Sequence, residues 1–263
     1  MTMDGPGDEL SQLRRALAER ERQLADARAA QEDLLRAVSH DLRAPVRHAT
    51  AFGQLVRELV AERGGMEEAL GYLDTMEQSA RRMGRMIDGL LELSRIGRAT
   101  LQRQPVDMAA LVAGVRDELM AGAAATGRAI EWRIAPGLPA VPGDAAWLRV
   151  LWAHLLGNAV KFSRERAPAH IAVAWECGED EAGAACCAFT VRDDGAGFDA
   201  AHAGPLFGVF QRLHPESEFE GVGTGLAAAR AIVARHGGGI AIHGAPRQGC
   251  VVRFTLPLEV PAL

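Results

Sequence analysis

The residue best suited to covalent chemistry is His40, inside the run Val38-Ser39-His40-Asp41-Leu42-Arg43-Ala44-Pro45. A neutral imidazole is a good nucleophile, and an ordinary histidine with a pKa near 6.5 is roughly three-quarters neutral at pH 7. Apolar Val38 and Leu42 mark the buried side of a helix, so His40 faces away from it, and Pro45 one turn later bends that helix. An exposed helical histidine is ordinarily a solvated side chain, so the rest of the chain decides its meaning. Four further motifs follow in order: His154-Leu155-Leu156-Gly157-Asn158-Ala159-Val160-Lys161-Phe162 on a helix; Val191-Arg192-Asp193-Asp194-Gly195-Ala196-Gly197-Phe198 after a strand; Leu206-Phe207-Gly208-Val209-Phe210-Gln211-Arg212-Leu213; and Glu220-Gly221-Val222-Gly223-Thr224-Gly225-Leu226 before a helix. In the last, backbone N–H groups and the positive end of the helix dipole favour a bound anion. Its GxGxG spacing without a preceding strand excludes a Rossmann loop, and no P-loop pattern occurs.

Two kinds of element must position these groups. From Leu10, apolar residues recur in steps of three and four (Leu10, Leu13, Leu17, Leu24, Ala27, Leu34, Val38), a coiled-coil seam interrupted at Arg20 and Gln31. The steps from Leu34 to Val38 and from Val38 to Leu42 are both four, which is a stutter. A second seam, Leu73, Met76, Ala80, Met83, Ile87 and Leu90, follows a turn at Ala61 to Gly65. Narrow stripes of this kind close a core only when two hairpins combine, which predicts a homodimeric four-helix bundle. Ser94 to Pro105 reads as a linker. Helices are then predicted over Met108 to Ala125, Ala145 to Phe162 with Asp144 as N-cap, and Thr224 to His236; strands over Ile130 to Ile134, His170 to Trp175, Ala188 to Asp193, Ile240 to His243 and Cys250 to Leu256. That order predicts an α/β sandwich with one sheet face covered. The domain boundaries expected are 1–33 for the signalling coiled coil, 34–97 for the hairpin, 98–106 for the linker and 107–263 for the α/β domain.

The formal net charge of −5 over 263 residues gives no basic face for nucleic acid. No stretch reaches the apolar length of a membrane span, and Met1-Thr2-Met3-Asp4 is unlike a secretion signal, so a cytoplasmic protein is expected. Cys177, Cys186, Cys187 and Cys250 show no CxxC pairing and read as reduced, small apolar residues.

Taken together, the five motifs resemble those of the sensor histidine kinases, especially the phytochrome-like type, from about Glu32 to Leu258. The run at His40 resembles their H box, and the later four resemble the N, G1, F and G2 boxes. The resemblance implies a fold combining a dimeric helical hairpin with a Bergerat-type α/β sandwich. It also implies ATP and Mg²⁺ as ligands, autophosphorylation of His40, and transfer to an aspartate of a response regulator. Asp41 is implied as the base or orienter at the second imidazole nitrogen. Asp193 is implied to accept the amino proton of adenine, Gly195 and Gly197 to let the backbone approach the base, and Asn158 to ligate Mg²⁺. Lys161 would supply phosphate charge and Phe162 an apolar contact, while Phe207 and Phe210 anchor a mobile lid, Gln211 to Glu220. Gly221, Gly223, Thr224, Gly225 and Leu226 would hold the phosphates.

The chain departs from the pattern where relatives carry asparagine (His154), tyrosine (His202) or a lid lysine (Pro205). His154 serves either a hydrogen bond near the phosphates or a structural role. Ala44 lacks the hydroxyl or amide that positions water for dephosphorylating a regulator. His48, His170, His214, His236 and His243 form no metal-ligand spacing and are assigned no role. Three rivals stand beside the kinase reading: an ATPase of the gyrase, chaperone and mismatch-repair type, a kinase of serine in a partner protein, and a non-catalytic dimeric scaffold. The hairpin is unexplained by the first two, and position 154 offers the ATPase no carboxylate base. With no sensory domain before the coiled coil, input is expected through a larger sensor or a protein docking on Leu10 to Leu34.

Overall fold

The computed structural model describes residues 51–59, 66–125, 127–179, 183–202 and 204–258, together with 20, 30, 37, 38, 41, 44, 45 and 47–49. His40 lies outside the described residues, as do the Ala61 to Gly65 turn and nearly all of the predicted coiled coil. Asp41 and Ala44 are helical and partly buried. The chain divides into two compact units, Met1–Met83 and Gly84–Leu263.

The first unit is helical. Residues 51–59 form helix, and α1 (Met66–Arg98) begins within this unit and carries the second predicted seam. Phe52 stacks on Tyr72 with ring centroids 5.5 Å apart, and a Cβ on Gly53 would meet the Met76 methyl at 3.5 Å. These contacts join the two arms of the predicted hairpin.

The second unit contains a five-stranded sheet of order β2-β4-β5-β7-β6, with β2 (Ile130–Ile134), β4 (Ala169–Glu179), β5 (Ala185–Asp193), β6 (Ile240–Gly244) and β7 (Cys250–Pro257). The β2–β4 pair is parallel and the others antiparallel. Alternation along β4 buries Ala169, Ile171 and Val173 and leaves His170 and Ala174 outside, as expected of a sheet with one covered face. The covering helices are α2 (Met108–Ala125), α3 (Ala145–Phe162) and α4 (Gly225–Arg235). On α3, Leu148, Leu151, Trp152, Leu155, Leu156, Ala159 and Val160 are buried, a stripe of helical period. Trp152 meets Phe189 and Phe254 of the sheet edge to face, with centroids 5.9 and 5.3 Å away. The N-cap reading of Asp144 holds: its Oδ1 accepts from the N–H groups of Ala146 and Trp147. Its own N–H donates to Nε2 of buried His236, whose Nδ1 faces the Ile232 carbonyl at 2.7 Å. His236 is therefore structural.

Two expectations are corrected. The segment Ser94 to Pro105 is not all linker. Helix α1 continues to Arg98, and β1 (Gln104–Asp107) pairs with β3 (Ala140–Gly143) in a separate two-stranded sheet. Four-residue strands containing Pro105 and Pro142 are too short for alternation to reveal. Nor are all four cysteines reduced. Cys177 and Cys187 are register partners on β4 and β5, with Cα atoms 4.1 Å apart, and form a disulfide; Cys186 and Cys250 are free. Strand register, not sequence spacing, brings the pair together.

Candidate active site

A cleft of about 310 Å³ opens between α3, the ends of β5 and β7, the segment after Phe210 and the start of α4. At its inner end Asp193 terminates β5 and is 8% exposed. Its Oδ1 accepts from the Gly195 N–H at 2.9 Å and the Cys250 N–H at 3.2 Å, so the Asx turn is the device that aims the carboxylate. Burial pushes this carboxyl up to about 6, against the two backbone donors that favour its ionised form. The neighbouring Cys250 thiol is pushed up to about 12, first by burial and then by Asp193.

The two glycines after Asp193 serve the chain itself. A Cβ on Gly195 would lie 2.4 Å from the Phe162 carbonyl oxygen, and one on Gly197, where φ is +61°, would lie 1.9 Å from that of Ala245. Their smallness lets the loop close on the end of α3 and on the turn before β7, and Gly197 also lines the cleft.

Helix α3 presents His154, Asn158 and Lys161 to the cleft at spacings of four and three. No hydrogen bond engages the Asn158 side chain among the described residues. The Lys161 ammonium lies 4.3 Å from the Phe162 ring centroid. Burial holds its pKa below the usual value, opposed by Glu220 and reinforced by Arg212.

The predicted lid crosses the cleft on an aromatic cluster. The Phe219 ring centroid is 4.9 Å from that of Phe162 and 5.1 Å from that of His214, and His214 Nε2 is 2.9 Å from the Gly197 carbonyl. Arg212 fastens the segment from within, donating to the carbonyls of Gly221 and Phe219. Neither Phe207 nor Phe210 lines the cleft. Both are buried beneath the segment, Phe207 in the main core, and the Phe210 N–H donates to the Gly223 carbonyl at 2.9 Å.

Gly221 and Gly223 adopt φ of +124° and +79°, and a Cβ on Gly223 would strike the Gln211 carbonyl oxygen at 2.6 Å. Only glycine suits such a turn. Thr224 caps α4 without a side-chain bond, so the first N–H groups after it lack that partner. Gly225 and Leu226 line the cleft at the start of α4.

Sequence reasoning missed four contributors. His214 and Phe219 are cleft residues, and an aromatic residue set among the charges of a presumed loop was the available signal. Arg85 and Glu92 reach the site from the C-terminal half of α1, which no local pattern could reveal. Arg85 donates to Glu216 at 2.7 Å, and Glu92 lies 3.2 Å from His154 Nε2, a hydrogen bond that holds the Glu92 carboxyl below its usual range despite partial burial.

Comparison with known families decides what this arrangement is. The model of the His Kinase A phospho-acceptor domain matches residues 30–99, and that of the histidine kinase-, DNA gyrase B- and HSP90-like ATPases matches residues 143–260. This chain belongs to the sensor histidine kinases. Cyanobacterial phytochrome B of Nostoc is 33% identical across 95% of the chain, and the methanogenesis regulatory histidine kinase FilI of Methanothrix harundinacea is 31% identical across 92%. The chain spans only 31% and 26% of those two proteins, and 60% of the sensor protein CutS of Streptomyces coelicolor, to which it is 29% identical across 97% of its own length. Among solved structures, histidine kinase ThkA in complex with response regulator TrrA shares the fold, with a TM-score of 0.64 at 16% identity, over 92% of this chain and 66% of that one. Full-length ShkA in complex with AMPPNP follows at 0.55 and 24% identity, over 88% of this chain and 46% of its own. The residues that resemble the N, G1, F and G2 motifs thus border one cleft, with Phe207 and Phe210 of the F motif buried beneath its lid. No helix among the described residues is long and apolar enough to cross a membrane.

Proposed function

We propose that this chain binds ATP with Mg²⁺ in the cleft, phosphorylates His40 and passes the phosphoryl group to an aspartate of a response-regulator receiver domain, acting as a cytoplasmic homodimer. The observation that carries the reading is the convergence on one cleft of a buried carboxylate, an amide without a hydrogen-bond partner among the described residues, a cation and a helix N-terminus. The match of the phospho-acceptor domain to residues 30–99, which include His40, supports His40 as the acceptor.

The ionised Asp193 carboxylate accepts a hydrogen bond from an amino group at the 6-position of a purine, where adenine carries that donor and guanine carries a carbonyl. At the other end, Lys161 and the N–H groups from Gly221 to Leu226 hold the phosphates. Among the described residues no group of three or more His, Cys, Asp or Glu side chains could hold a metal. As the family resemblance implies, the Asn158 amide oxygen, which lines the cleft, would be its protein ligand, an oxygen donor of the kind that suits Mg²⁺. The ion would neutralise phosphate charge. His40 attacks the terminal phosphorus, the bond to the bridging oxygen breaks and ADP leaves. Asp41 orients the ring from its second nitrogen, and positioning with electrostatic stabilisation supplies the acceleration.

The homodimer is supported by the apolar surface that α1 leaves bare: Leu70 is 53% exposed, Leu73 45%, Ile87 48% and Leu91 50%. A second hairpin would cover it. Domains at 1–33, 34–97, 98–106 and 107–263 form part of the proposal, with β1 added to the last. The response-regulator partner is supported by the regulator seated on ThkA in the structure of like fold. Incubation with γ-labelled ATP and Mg²⁺ tests the reading: acid-labile, alkali-stable label is expected on the wild-type protein and not on His40→Gln. Free phosphate with no labelled protein would overturn it.

A further inference from the structure

The departure at position 154 has a partner. The imidazole of His154 lines the cleft one turn before Asn158, and its Nε2 lies 3.2 Å from a carboxylate oxygen of Glu92 on α1. The opposite side of the ring faces the glycine loop: a Cβ on Gly225 would lie 3.2 Å from His154 Nδ1 and 3.9 Å from Asn158 Nδ2. A carboxylate only accepts, so in the neutral ring the proton sits on Nε2 and Nδ1, beside Gly225, carries the lone pair. Both side chains keep access to water, His154 at 25% and Glu92 at 32% exposure. The same hydrogen bond favours the ionised form of Glu92.

We propose that Glu92 and His154 form an orienter and base pair that activates water in this cleft, giving the protein an ATP-hydrolysing activity independent of His40. The inference rests on the reading that the cleft binds ATP, not on the phosphorylation of His40. Nδ1 of His154 takes one proton of a water whose oxygen bonds to the terminal phosphorus. The bond from that phosphorus to the bridging oxygen breaks, ADP leaves with that oxygen, inorganic phosphate forms, and the imidazolium returns its proton to solvent. Atoms and electrons balance without any other reactant. The sequence argued against water chemistry in part because position 154 offers no carboxylate. The structure supplies the carboxylate one residue removed, from α1. Because Glu92 and His154 sit on different helices, the base is assembled only while the end of α1 rests against α3.

The test uses the full chain bearing His40→Gln, which has no phosphoacceptor, and measures phosphate release from labelled ATP beside affinity for AMPPNP. Steady release is expected, falling at least about a hundredfold with His154→Asn, the usual worth of a positioned base. With His154→Gly, added imidazole should restore part of the rate. Glu92→Gln should lower kcat with little change in KM, and Glu92→Asp should recover part of it. Absence of release from His40→Gln, or a loss in the His154 variants that merely tracks AMPPNP affinity, overturns the proposal. If the wild-type protein takes no label while His154-dependent release persists, the kinase reading fails and this one stands. Label on the wild type with a silent His40→Gln protein fails this one alone.

Discussion

Asp193 illustrates how a single residue joins fold and ligand. Its Oδ1 closes the turn after β5 and accepts from β7, so the carboxylate is pinned before any ligand arrives. Burial raises its pKa to about 6 from an ordinary 3.8. In the nucleotide-free protein this sign opposes folding at neutral pH: the folded state binds the proton more tightly, so stability present below pH 3.8 declines as pH rises through 6. For binding the sign reverses, because the amino group of adenine needs the ionised acceptor. ATP affinity should be flat above pH 7 and fall as pH drops below about 6, approaching tenfold per unit. Titration calorimetry with AMPPNP between pH 5 and 8 checks this. Asp193→Asn should bind about 10- to 100-fold more weakly at pH 7, the worth of a charged hydrogen bond, and lose the pH dependence. A binding curve that stays flat from pH 5 to 8 in the parent protein would contradict the assignment.

Among the elements, α3 was the most legible. Its apolar stripe, N-cap and chemical residues lie within one period, so the predicted bounds Ala145 to Phe162 are those observed. The segment from Gln211 to Glu220 was recognised as a lid but not for how it is held. The Phe162, His214 and Phe219 cluster is a tertiary association of residues 52 and 57 positions apart, counted from Phe162 to His214 and Phe219. Phe219 is 3% exposed yet stands apart from the main core beneath the sheet. Phe219→Ala should therefore loosen the lid, raising KM for ATP several-fold, while the unfolding temperature of the nucleotide-free protein moves little. A large fall in that temperature would place Phe219 in the global core instead. Strands β1 and β3 escaped notice because four residues with a central proline carry too little pattern, although their pairing ties the segment after α1 to the turn before α3.

For the whole molecule, the coupling of coiled coil to His40 is the open prediction. The stutter between Leu34 and Leu42 suggests that a rotation of the helix repacks Val38 and Leu42 and changes access to the histidine between them. Deleting the four residues Gln23 to Asp26 shifts the seam by a fraction of a turn, whereas a seven-residue deletion keeps its phase. Autophosphorylation, read as alkali-stable label, should change more with the four-residue deletion. Equal effects would count against rotation.

The sequence by itself determined the helix that carries the second seam, the five strands of the main sheet and the order of the motifs, because local periodicity and glycine spacing are local properties. Only the tertiary structure decided the rest. Strand register joined Cys177 to Cys187, where spacing had suggested reduced thiols. Close packing assigned Gly195 and Gly197 to backbone contacts within the chain. The end of α1 brought Glu92 to His154 across 62 positions of sequence. A hydrogen bond at such separation leaves no trace in either segment, since each residue alone suits a solvated helix face. His40 was the first residue marked for chemistry, and its meaning came from the cleft formed by the other four motifs.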